Sequence, residues 1–582
     1  MCGIFFAISC NGYATPNPGT RQFLNKRGPD RAQEHQVIVQ KSPSSPKIYL
    51  SFFSTVLSLR GVDVVAQPLV HDKSQSVLCW NGEAWKIGSE HVQGNDSQKV
   101  LELLVEVSSG ETSERSASGD RNILAAISSI SGPFALVFYD APRGRVYYGR
   151  DCLGRRSLLK RTNTEEGLTL SSICSTDIAD HWTEVEADGI YAVDILNTED
   201  ADSAILNEAG ARPLHINHFP LLQKDATRDI ANGLILPFPA LNKTIPTNAS
   251  TLCLESPSVE RLHSFLSQSV DLRVRNICQA CDVRQNSDAD AKVAILFSGG
   301  LDCTVLARLA HDSLPMSESV DLLNVAFQNP RIHRTQESGA WESSPYELCP
   351  DRITGRRSLA ELQRVCPGRY WRFVEINVPY TETTAHREAV IELMHPHNTE
   401  MDLSISYALY FASRGAGALR GSDDSEMIEY TTPAHVVLSG LGADELFAGY
   451  QRHATAFSRH GFPGLVDELE LDINRLGKRN LGRDDRVISN WGREARFPYL
   501  DETLLAWALA CPLWEKCGFG QHASEQSSNP VSGIEPGKKV LRVLAWKLGM
   551  KEVAVEKKRA IQFGARTAKM ETGKSKGTHL LS

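Results

Sequence analysis

The chain runs to 582 residues, too many for one hydrophobic core, and the length implies two to four domains. Hydrophobic residues at 41% and charged residues at 23% are ordinary globular values and argue against wholesale disorder. A formal charge of -8 implies no basic face for a nucleic acid, and no apolar run reaches the roughly 18 residues that a membrane span needs.

The amino terminus, Met1-Cys2-Gly3-Ile4-Phe5-Phe6, is apolar but has no basic leader and runs into Asn11-Gly12, so it does not read as an export signal. The thirteen cysteines stand at scattered spacings, which suits reduced and mostly buried thiols in a cytoplasmic protein. Up to about residue 190 the text is rich in short β-type runs: Ile48 to Leu50, Val77 to Trp80, Phe134 to Tyr139, Val146 to Tyr148 and Leu168 to Leu170. Turn residues separate them, which predicts a sheet-dominated domain over residues 2–190. Ser108 to Asp120 reads as a polar surface insertion.

Residues 191–255 turn acidic and proline-bearing with no sustained period, which predicts strand remnants and a linker. The glycosylation-type triplets at Asn242 and Asn248 fall there and read as linker residues. Ser256-Pro257 then opens a helix, and residues 256–582 form the last domain. Cys278 and Cys281 follow the helical period of Val259, Leu262, Leu266, Val270 and Val274, so they read as two thiols on that helix rather than a metal or redox pair. Val293 to Phe297, Leu322 to Phe327, Phe373 to Val378 and Val436 to Leu438 are short apolar runs typical of strands buried on both faces. Helical stretches at Thr304 to His311, Ile405 to Arg414 and Val540 to Leu548 alternate with them, and this rhythm predicts a parallel α/β sheet. Gln521 to Gly537 reads as a loop, and the lysines at 569, 574 and 576 as a solvated tail.

Chemistry concentrates in two places. Removal of Met1 would give Cys2 a thiol and a free α-amine, whose ordinary pKa near ~7.7–8.0 lets it act as base for its own sulfur. Arg27-Gly28-Pro29-Asp30, Asn81-Gly82-Glu83, Gly94-Asn95-Asp96 and Gly149-Arg150-Asp151 follow in turn. Taken alone, Asn81-Gly82 could equally be a hairpin turn. In this order the segments resemble class II glutamine amidotransferase domains. That resemblance implies an Ntn-hydrolase sandwich with Cys2 as nucleophile, Asn81 and Gly82 as oxyanion donors, and Glu83 and Asp96 in the glutamine site, Asp96 on the substrate ammonium. The family's arginine for the glutamine carboxylate is replaced by Val56. Arg60, four residues further along the presumed strand, would share its face and reach the same carboxylate.

The second place is Ser298-Gly299-Gly300-Leu301-Asp302-Cys303, set between a predicted strand and a predicted helix, with Ser439-Gly440-Leu441-Gly442-Ala443-Asp444-Glu445 behind another strand. Small residues at a helix start let backbone N–H groups approach a phosphate. The first loop lacks the Gly-Lys-Ser/Thr ending of a P-loop and resembles that of the ATP pyrophosphatases, with Cys303 in place of the usual serine. In the asparagine synthetase family the two loops imply ATP bound by Leu296, Ser298, Gly299, Gly300, Cys303, Val325, Ser439 and Gly440, with Mg²⁺ on Asp302 and Asp444. The acidic and basic residues from Arg483 to Arg486 and from Glu494 to Asp501 resemble that family's ammonia route, and could equally form an ion-pair network.

Asp351 to Gly355, Met401 to Ile405, Phe411 to Gly415 and Ile561 to Gly564 look most like the asparagine synthetase domain-containing proteins of eukaryotes, a divergent branch. Two departures touch the synthetase half. Leu441 replaces a glutamate that serves ammonia attack, and Ala560 falls where a lysine steadies the α-phosphate, although Lys557 and Lys558 are near. The resemblance therefore implies glutamine hydrolysis feeding ammonia to an ATP-activated carboxylate such as aspartate. A non-catalytic regulatory paralogue and a glutaminase with a nucleotide-sensing domain remain open beside it, as do monomer and homodimer.

Overall fold

In this computed structural model, the described residues are 1–109, 117–163, 167–175, 181–195, 214–223, 233–246, 251–278, 290–332, 344–421, 426–521, 530–570 and 578–581. Residues 110–116 of the polar insertion, Asn248, Cys281, Lys574, Lys576 and residues 522–529 lie outside them. The architecture is mixed α/β with several sheets, in two compact units.

The first unit holds residues 1–237, together with 278–281 and 476–492. Gly3–Ser9 is the centre of an antiparallel sheet, flanked by Ile48–Val56 and Gly167–Ser171. A second sheet carries Val77–Gly82, Phe134–Asp140, Arg145–Arg150 and Gly189–Asp194, also antiparallel. The sheets face each other through side chains that alternate along each strand. Ile4, Phe6 and Ile8 meet Val77, Cys79, Val137 and Val146 in one buried cluster. On its other face the second sheet is covered by helices Asp96–Ser108 and Ala117–Ser128, whose Val100, Leu104, Ile123 and Ile127 pack on Trp80, Leu136 and Phe138. Helix Pro18–Arg27 lies beside Gly3 and Thr55 on the first sheet, and Asn17 caps it by accepting from the Thr20 N–H at 2.7 Å.

The boundaries differ from those the sequence implied. Ile216–Leu222 pairs with Gly189–Asp194, so the first unit continues to Pro237 rather than ending near 190. That strand is only half-buried and includes Pro220, which explains why it shows no clean alternation. Helix Pro257–Val274 ends before Cys278, whose N–H bonds the Leu59 carbonyl, so the thiol is not on the helix.

The return of residues 476–492 has a clear cause. Helix Leu481–Ser489 carries the fully buried Asp485, which accepts from Arg27 Nη2 at 2.9 Å and from the Ser157 N–H at 3.1 Å. Arg156 stands 3.7 Å from the other carboxylate oxygen, and Arg486 pairs with Glu184 at 2.5 Å. The charged run 483–486 is thus an ion-pair network in which every member is buried.

The second unit is built on a seven-stranded sheet. Trp371–Val378, Val320–Phe327, Val293–Leu296, Val436–Leu438 and Glu494–Arg496 lie side by side in that order, all parallel. Numbered along the chain the order is third, second, first, fourth, fifth, so the winding reverses between Val293–Leu296 and Val436–Leu438. An unforeseen antiparallel hairpin, Ala416–Arg420 and Met427–Thr431, extends one edge.

Asp485→Ala leaves Arg27 and Arg156 buried without their carboxylate. The expected loss is about 3–5 kcal/mol, read as a lower denaturant midpoint, with Asp485→Asn less affected.

Candidate functional site

Each group of predicted residues gathers within a single unit. In the first, Cys2 leads directly into the central Gly3–Ser9 strand and is itself buried. Arg27 Nε donates to its carbonyl oxygen at 3.3 Å, so the Asp485 network steadies the backbone that carries the sulfur. Gln67, which no pattern in the sequence marked, donates from Nε2 to Cys2 Sγ at 3.8 Å. Its Oε1 accepts the Trp80 N–H at 2.8 Å, and Asn81 follows on the same strand.

Asn81 and Gly82 pair with Ala135 and Phe134 inside the sheet, which rules out the hairpin turn. The Asn81 side chain is fully buried, yet neither Nδ2 nor Oδ1 has a partner among the described residues. An unpaired buried amide costs about 1–3 kcal/mol, a cost that a fold carries where the donor is held for something else.

Asp96, at the start of helix Asp96–Ser108, accepts from Trp80 Nε1 at 3.0 Å and from the Ala84 N–H at 2.9 Å, both on Oδ2. Burial pushes its carboxyl above the ordinary range, opposed by the charge of Arg60 and by these bonds. A carboxylate so placed gains from any cation that reaches it. Arg60 is not on a strand, because Ile48–Val56 has ended four residues earlier. Nη1 donates to the Ala84 carbonyl at 2.9 Å and Nη2 to the Val92 carbonyl at 2.5 Å, with Glu83 at 3.5 Å. The argument from a shared strand face therefore fails. Arg60 still arrives beside Glu83 and Asp96, with Nε–H and one proton on Nη2 outside those bonds.

In the second unit both glycine loops leave the carboxyl ends of adjacent parallel strands, Val293–Leu296 and Val436–Leu438, where the winding reverses. Open α/β sheets bind ligands in that crevice. Helix Leu301–Ser313 starts at Gly300, and Asp302 and the buried Cys303 lie in its first turn. Gly299 has φ of 76° and lies so near Gly355 that a Cβ there would meet its backbone at 2.5 Å. A Cβ on Gly440 would meet Asp302 Cβ at 2.9 Å, so this glycine lets the second loop close on the first. Ser298 Oγ accepts the Gly300 N–H and Ser439 Oγ accepts the Leu441 N–H, each at 3.3 Å. Leu296 is half-buried at its strand end, and Val325 is buried on the neighbouring strand.

The two aspartates share a cation supplied by the chain. Lys538 Nζ lies 2.8 and 2.9 Å from the oxygens of Asp302 and 2.9 Å from Asp444 Oδ1. Lys558 bonds the other oxygen of Asp444. Burial would raise the Asp444 carboxyl, but the two ammoniums overcome it and hold the group well below the ordinary range. The Asp302–Asp444 pair thus already surrounds one positive charge, and two hard oxygen ligands beside a glycine loop are of the kind that Mg²⁺ takes. Counting from Gln562-Phe563 had left Ala560 where a lysine was expected. Ala560 instead starts the short helix Ile561–Gly564, and Lys558 two residues earlier reaches the site. Asp351, noted in the sequence only as part of a family-like segment, lies in the first turn of helix Pro350–Val365. Burial lifts its carboxyl to about 7 despite Arg559 at 3.7 Å.

Known proteins resemble this chain in sequence. A family model described as Asparagine synthase matches residues 425–467 and 460–577. Asparagine synthetase domain-containing protein 1 of Bos taurus is 33% identical, covering 99% of this chain and 97% of its own. Asparagine synthetase domain-containing protein YML096W of Saccharomyces cerevisiae is 31% identical over 91% of this chain and 86% of its own. A putative asparagine synthetase (glutamine-hydrolyzing) of Methanocaldococcus jannaschii is 35% identical over a shorter stretch, 23% of this chain and 28% of its own. The chain is of asparagine synthetase type. It belongs to the asparagine synthetase domain-containing protein family.

Asp96→Asn keeps an oxygen for Trp80 and Ala84 while removing the charge. Because the folded pKa is raised, the ionised form costs stability at neutral pH, and protonation on acidification restores it. The variant is expected to melt no lower than wild type at neutral pH, by calorimetry, and a fall of several degrees would contradict this.

Proposed function

We propose that the chain is a glutamine-dependent, ATP-consuming amidotransferase of asparagine synthetase type. The observation that carries the reading is Asn81, an unpartnered buried amide on the strand that Gln67 ties to the Cys2 sulfur. The fold classes that go with it are an Ntn-hydrolase sandwich for the first unit and an ATP-pyrophosphatase sheet for the second.

In this reading Met1 is excised and the α-amine of Cys2 takes the thiol proton. Sγ attacks the side-chain amide carbon of glutamine, and Asn81 Nδ2 with the Gly82 N–H receives the oxyanion, each donor worth about 10²–10³ in rate. Asp96 holds the substrate ammonium, and Arg60 with Glu83 orients its other end. The proton returns to the leaving nitrogen, ammonia departs, and water hydrolyses the γ-glutamyl thioester to glutamate and free thiol.

At the second site the loop 298–303 offers backbone N–H groups to the pyrophosphate part of ATP, and Ser439 and Gly440 border the nucleotide with Leu296 and Val325. Lys538 and Lys558 supply positive charge where adenylation concentrates negative charge. Mg²⁺ on Asp302 and Asp444 would neutralise the leaving pyrophosphate. A carboxylate such as aspartate attacks the α-phosphorus, pyrophosphate leaves, and ammonia displaces AMP to form the amide. Leu441 favours a second reading, because it cannot accept the proton that ammonia sheds. That reading is a glutaminase with a nucleotide-sensing domain.

A paired assay separates the two: glutamate formed from glutamine, and pyrophosphate formed from ATP with aspartate. Both products are expected, with Cys2→Ala lowering glutamate formation by about 10³-fold or more and sparing ammonia-driven pyrophosphate release. Glutamate without pyrophosphate would select the second reading, and neither product would contradict both.

A further inference from the structure

Gln67 has no part in the resemblance, yet its side chain ends on the reacting sulfur. It is buried, and its two polar ends are occupied by different elements. Oε1 accepts the Trp80 backbone N–H at 2.8 Å. A backbone N–H can only donate, so the amide is oriented and its NH₂ end must face Cys2 Sγ, at 3.8 Å. The same tryptophan donates its indole N–H to Asp96, and the next residue is Asn81. One side chain therefore connects the sulfur to the strand that bears the oxyanion donor and to the carboxylate for the substrate ammonium.

From this we infer that Gln67 is a positioning residue of the glutaminase half. It fixes the sulfur relative to Asn81 and stabilises the thiolate by donating an N–H to it. The inference rests on the reading of Cys2 as nucleophile. Hydrogen bonds to ionised groups are about twice as strong as neutral ones, so the contact favours the thiolate over the thiol. A sulfur held by one rigid amide also keeps its distance to the oxyanion donor, and small misplacements of reacting atoms are costly in rate. The charged group that meets Cys2 from the neighbouring helix is Arg27, which donates to the Cys2 carbonyl and is itself matched by Asp485. Its charge is thus largely balanced before it reaches the sulfur, and the neutral amide of Gln67 is in contact with Sγ.

Gln67→Glu separates positioning from structure, because it keeps an oxygen for the Trp80 N–H and exchanges the donor for a negative charge. The test is the pH dependence of Cys2 alkylation by iodoacetamide in the full chain, read on the amino-terminal peptide, together with kcat and KM for glutamine. In Gln67→Glu the alkylation midpoint is expected about one pH unit or more above wild type, with kcat reduced about tenfold and KM little changed. Gln67→Met, which lacks both polar ends, should show the same upward midpoint with a lower melting temperature. Wild-type midpoints and kcat in folded Gln67→Glu would overturn the inference and leave the residue a structural brace. A shifted midpoint in a protein that hydrolyses no glutamine would uphold the contact with the sulfur and sink the glutaminase reading instead.

Discussion

The first unit depends on a carboxylate with no access to water. Asp485 sits against Arg27 at 2.9 Å and Arg156 at 3.7 Å, all three fully buried. Arg27 in turn holds the carbonyl of Cys2, so the position of the sulfur rests on an acid encoded more than 480 residues later in the chain. Buried charges need partners of opposite sign, and removing one partner costs far more than the pair contributes. The first unit is therefore incomplete until residue 492 has been made, and a fragment ending at Pro237 would bury Arg27 and Arg156 without their acid.

The second unit solves a different electrostatic problem. Its two aspartates approach because Gly440 presents no side chain to Asp302, and their mutual repulsion is offset by the ammonium of Lys538. The site thus holds its charge pattern with the chain's own side chains, beside the point where the strand order reverses.

Much of this was legible in the sequence, and the rest has identifiable reasons for being hidden. Strands such as Phe134–Asp140 and Val320–Phe327 could be read because burial on both faces demands continuous apolar residues. The glycine loops could be read because close approach and unusual φ leave few other residues possible. Gln67 and Lys538 carry no local signature, since each acts through contacts with residues outside its own segment. The strand Ile216–Leu222 was obscured because it is at most half-buried and carries Pro220. Arg60 was placed by strand periodicity, which stops applying where the strand stops at Val56. Counting residues from Gln562-Phe563 likewise fixed attention on position 560, whereas the lysine that bonds Asp444 is Lys558, two residues earlier.

The proposed function turns on one chemical step: the sulfur of Cys2, freed from Met1, forms a covalent bond to a glutamine-derived carbonyl. The most direct test is the mass of the amino-terminal peptide after the full chain is incubated with a glutamine analogue carrying an electrophilic diazoketone in place of the amide. The account predicts a peptide that begins at Cys2, lacks Met1 and bears the analogue on sulfur. A peptide that retains Met1, or an analogue found on another cysteine with Cys2 unmodified, would contradict it.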